Sequence, residues 1–74
     1  MATIYQDTIR VELAKQGMIG KHDPRHIEGY MRLQYGCLDH LSRSEFAAEV
    51  AIGAQCIDAD GINNAESLAK SYGL

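Results

Sequence analysis

The sequence predicts an all-α fold, a compact bundle of about four short helices in a single domain spanning residues 1–74. Three observations predict it. Thr3 with Gln6 and Ser42 with Glu45 are capping boxes, in which a hydroxyl and a Glu or Gln three residues on satisfy two orphan N–H groups of a helix start. Asp23-Pro24 is a third start signal, since Asp caps and Pro at the first helical position gives up only an N–H that had no partner. Apolar residues recur at helical spacing, and no stretch carries the period-two alternation of a strand.

Helix one is predicted over residues 4–16. Tyr5, Ile9 and Leu13 form its apolar line, Ile4 and Val11 lie off it, and Gly17 ends it. Met18 and Ile19 are expected to tuck under the helices, because exposed apolar pairs are unusual in loops. Helix two is predicted over 24–35, with Ile27, Tyr30 and Met31 inward, Leu38 extending that face, and Arg25, Glu28 and Arg32 turned away from it; Gly36 stops it. Leu41 precedes the next cap as the hydrophobic residue of a staple.

Helix three, capped at Ser42 and read as far as Ile57, is the longest stretch of consistent pattern. Phe46, Val50, Gly53 and Ile57 share one stripe, widened by Ala47, Ala51 and Ala54, and so many small side chains predict close helix packing. Residues 58–64 read as a turn-rich loop. Asn63 with Glu66 offers a weaker cap for a last helix over 64–71, which buries Leu68 with Ala65, Ala69 and Tyr72 as further inward candidates. Short connections exclude long crossovers.

Seventy-four residues lie near the size at which one core seldom supplies more than about 3–5 kcal/mol unaided, so modest stability or self-association is expected. No export signal or spanning apolar run is present, and a cytoplasmic protein without membrane contact is the expectation. Cys37 and Cys56 are accordingly expected as reduced, buried thiols. The net charge of −3 divides into +1 over residues 1–35 and −4 over residues 36–74. Such a surface does not favour phosphate backbones. A helix-turn-helix reading fails too, because the would-be recognition helix sets Arg43 against Glu45 and Glu49.

Candidate chemistry is thin. Asp58-Ala59-Asp60-Gly61 resembles the start of a calcium loop, but with Asp58 first, Ile62 takes the fifth ligand position and Lys70 the twelfth. His22, His26, Cys37 and His40 form a zinc set on paper, yet their spacing matches no ordinary zinc module, and the histidines read as surface side chains. A cysteine nucleophile needs a histidine and a cleft of about 300 Å³ or more, for which a domain of this size offers little room. The expectation is therefore no catalytic residue, no cofactor and no metal.

Recognition of another protein is what remains. Ala48, Ile52 and Gln55 fall on the side of helix three opposite Val50 and Ala54, and are the candidate interface, for a partner protein or for a second copy in a homodimer. The tyrosines also suit an interface. Two alternatives accompany this adaptor-or-inhibitor reading. One is an acidic inhibitor in which Asp39, Glu45, Glu49, Asp58, Asp60 and Glu66 imitate nucleic acid; the other is a small metal-binding protein.

Overall fold

A computed structural model describes residues 3–74; residues 1 and 2 of the predicted domain lie outside the described residues. The four helices are α1 (Ile4–Lys15), α2 (Pro24–Tyr35), α3 (Arg43–Asp60) and α4 (Ile62–Ser71), with no strand among the described residues. Among the described residues no helix is long and apolar enough to cross a membrane.

The start signals act as their chemistry requires. Thr3 Oγ1 accepts from the Gln6 backbone N–H at 3.1 Å, and Asp23 accepts from the Arg25 N–H at 2.9 Å. At Ser42 both halves of the capping box form, Glu45 N–H to Ser42 Oγ at 3.2 Å and Ser42 N–H to Glu45 Oε1 at 2.9 Å. Gly17 closes α1 in a Schellman arrangement: its φ is +76°, Met18 N–H reaches the Leu13 carbonyl at 2.8 Å, and its own N–H reaches Ala14 at 3.1 Å.

The expected loop after Ile57 is not a loop. Helix α3 continues to Asp60, and Gly61 alone joins it to α4. Gly61 has φ +95° and ψ 158°, a combination nearly confined to glycine, and one residue therefore turns the chain sharply enough to end one helix and begin the next. Asn63 makes no cap. Asn64 instead donates back to the Asp60 carbonyl at 2.7 Å, holding the corner from the other side.

Helices α2 and α3 each touch all three other helices, while α1 and α4 do not meet. The core is built of Ile9 and Leu13, Ile27 and Met31, Leu38, then Phe46, Val50, Ala54 and Ile57, with Ala65 and Ala69 from α4. Its tightest crossings use glycines. A Cβ on Gly53 would stand 3.4 Å from Ile27, and one on Gly29 would stand 3.4 Å from the Ala69 backbone. The close approach expected for α3 thus comes at Gly53 more than at its alanines, and α2 has its own at Gly29. The radius of gyration is 10.9 Å, against about 11 Å for a compact chain of this length.

Six expectations about burial are corrected. Glu28, read as facing away from the core, is fully buried, and His26, read as a surface side chain, is 7% exposed. Tyr72 and Ile19 are exposed, whereas Met18 does pack against the core. Cys37 is exposed and Cys56 half-buried, so neither is the buried thiol expected, and both are free.

Candidate protein-docking surface

Two polar clusters fix the helices that carry the surface. Glu28 Oε1 accepts from Thr3 Oγ1 at 2.9 Å and Gln6 Nε2 at 3.0 Å, while Oε2 takes the Arg32 guanidinium side-on, Nε and Nη2 both at 2.9 Å. Arg32 in turn lies 6.0 Å from the centre of the Tyr5 ring. A buried carboxylate needs this many donors to offset its lost hydration, and the result ties the start of α1 to α2. On the side of α2 that meets α4, Arg25 Nη2 bonds Glu66 at 2.8 Å and Asp23 at 3.1 Å, joining the two helices. The Arg25 hydrogen bond holds the Glu66 carboxyl below the usual carboxylate range despite partial desolvation. For Asp23, desolvation pushes upward, but the Arg25 N–H and guanidinium together bring its pKa down.

The four candidate metal ligands do not assemble. His22 Nε2 lies 3.6 Å from Asp58 Oδ1, and His26 Nε2 lies 3.6 Å from Glu66 Oε1, too long for a hydrogen bond. His40 packs edge-on to Tyr35 with ring centres 6.1 Å apart, and Cys37 is exposed on the connection after α2. Among the described residues no group of three or more His, Cys, Asp or Glu side chains is placed to hold a metal ion.

The molecule does have clefts, contrary to the expectation from its size. One of about 640 Å³ runs between α1 and the start of α3 over Tyr5, Leu38, Leu41 and Phe46, with Ile4 and Val11 exposed on its lip. Its charged lining is mixed, Glu12 and Lys15 paired at 3.7 Å beside Asp39 and Arg43. A cleft of about 350 Å³ between α2, α3 and the α3–α4 corner holds Lys21, Asp23 and Asp58 with His22 and His26, again both signs together.

The third groove, about 370 Å³, lies between α2 and α3 and is the one on which the candidate interface borders. Ala48, Ile52 and Gln55 are all exposed, and Ile52 lines the groove at 47% exposure. At about 100° per residue Ala48 and Gln55 lie further round α3, beyond Ile52 and away from the groove. Across it stands Leu33 of α2, 61% exposed. Sequence reasoning missed Leu33, although its place off the line of Ile27, Tyr30 and Met31 was a usable signal. Met31, Gly53, Cys56 and the Tyr30 ring make the floor, and the only charged side chains in the lining are Glu49 and Asp60.

A tyrosine holds one of these carboxylates in place. Tyr30 donates its hydroxyl to Asp60 Oδ2 at 2.9 Å; burial, then that bond, pushes its pKa up to about 12. Tyr35 is raised as well, chiefly by the Glu49 carboxylate beside its hydroxyl and then by desolvation. Each phenol therefore remains a donor at neutral pH.

Compared with family models, curated proteins and solved structures, the chain matches none. The reading of the surface accordingly rests on its own geometry.

Proposed function

We propose that this chain is a non-enzymatic cytoplasmic protein that acts by binding another protein through the α2–α3 groove, as an adaptor or inhibitor. The observation that carries the reading is the pairing of Leu33 and Ile52, large aliphatic side chains 61% and 47% exposed on neighbouring helices, over one groove with an apolar floor. Single exposed aliphatics are ordinary on a protein surface, whereas two that flank a groove are what an incoming apolar side chain needs. The groove contains a thiol, Cys56, but no histidine to activate it, which favours binding over nucleophilic chemistry.

A photo-crosslinking residue placed at position 52 in cells that express the chain tests the proposal. A discrete adduct formed from position 52 and absent from a control at exposed Ser67 is the expected result; equal labelling from both sites, or none, removes it. Self-association is the second reading, favoured by exposure of Ala48, Ile52 and Gln55 together. Sedimentation at micromolar concentration should then give a dimer that Ile52→Asp dissociates without unfolding. The acidic-mimic alternative has less support: Glu66 is engaged by Arg25 and Asp58 faces His22, leaving fewer of the six carboxylates free to imitate phosphates.

A further inference from the structure

Resting on the docking proposal, we infer that the occupant of the α2–α3 groove is a cationic amphipathic helix, with an apolar side chain seated between Leu33 and Ile52 and Lys or Arg side chains flanking it to meet Glu49 and Asp60. Of the three clefts, this is the one whose charged lining has a single sign. The two carboxylates bracket the apolar centre on α3, eleven residues or about 16 Å apart along the helix axis. Glu45, Glu49, Ile52, Cys56 and Asp60 fall within about 80° of arc on that helix, so the charges and the apolar residues form one stripe.

The fixed position of Asp60 matters to recognition. A mobile surface carboxylate loses side-chain entropy when it pairs, whereas Asp60 is already held by Tyr30. A helix is the shape that matches a groove between two helices, and its basic residues about three turns apart would reach both ends. The same charges disfavour the competing occupants. A two-fold copy presenting this face brings a second Glu49 and Asp60 into the same contact, and a phosphate-bearing surface meets two carboxylates with no cation in the lining.

The test is selection from a displayed library of helix-forming peptides with randomised surface positions, using the full chain as target, followed by fluorescence anisotropy of the enriched peptides. The expected result is enrichment of peptides with an apolar centre and positive ends. Their affinity should fall at least tenfold with Ile52→Ser and several-fold with Glu49→Gln plus Asp60→Asn, fall with added salt, and be unchanged with Val11→Ser in the other groove. Enriched peptides that are neutral or acidic but still require Ile52 would overturn the cationic assignment while leaving the docking reading standing. Failure to enrich any peptide, or enrichment indifferent to Ile52→Ser, would overturn both. Circular dichroism of each variant separates lost binding from lost folding.

Discussion

Removing the Glu28 carboxylate should be among the most damaging single changes in the chain, even though a charged residue on a helix is ordinarily a surface residue. Glu28→Ala leaves Gln6 Nε2 without its acceptor inside a side chain only 4% exposed, a loss of about 1–3 kcal/mol. It also removes buried methylene packing, about 0.8 kcal/mol per group. Arg32 is 30% exposed and can turn to water, so its lost pair adds less than a fully buried ion pair would. The expected total is about 2–4 kcal/mol, most of the stability available to a domain of this size. Urea denaturation followed by far-UV circular dichroism measures it as a lower midpoint. Glu28→Gln, which keeps the volume but not the charge, should lose about half as much. An unchanged midpoint in Glu28→Ala would refute the reasoning, since it would mean that the carboxylate is neither buried nor needed by its donors.

Phe46→Ala should cost about 3–5 kcal/mol through lost burial and the cavity left in the core, read as a fall in melting temperature; an unchanged value would mean that Phe46 faces solvent. Gly29→Leu should destabilise by about 1–3 kcal/mol because its side chain meets the Ala69 backbone, while Gly29→Ala should be far milder, and equal effects in denaturant would contradict the close α2–α4 crossing. Asp23→Ala should cost about 0.5–2 kcal/mol as a lost cap, again by denaturant midpoint. Asp23, Glu45 and Glu66 have folded pKa values below their unfolded ones, so the stability they contribute is complete above about pH 4–5 and is lost as pH falls through the depressed values. A melting temperature that stayed level down to about pH 2 would contradict that sign.

The helices were legible because their starts are chemically explicit. Thr3, Asp23 and Ser42 all cap, although at Thr3 only half of the predicted box forms because the Gln6 side chain turns to Glu28, and the bounds of α2 are those read from Asp23-Pro24 and Gly36. The α3–α4 corner was not legible, because Asp, Asn and Gly favour turns locally while packing of Ile57, Ala65 and Ala69 into the core draws both helices up to Gly61. Glu28 was misplaced for a related reason: helical periodicity assigns charge to the outside, and only tertiary structure brings Thr3, Gln6 and Arg32 around it. Of the candidate surface, Ile52 followed from its position opposite Val50. The groove beside it did not, because it is made by two helices and the sequence spacing of one says nothing of Leu33 on the other.

The single-residue corner at Gly61 makes the direction of α4 a property of two dihedral angles. Helix α4 is a rigid arm of ten residues, about 15 Å long, so a change of about 20° at the corner would carry its far end about 5 Å. Most other residues at position 61 would demand a far larger change than that, since a Cβ is poorly tolerated at these angles. The arm's departure would draw Ala69 off Gly29 and Glu66 off Arg25 in one movement. A substitution at this solvent-exposed glycine, where an added Cβ would meet nothing within 4 Å, is thus transmitted as leverage to contacts at Glu66 and Ala69 further along the helix.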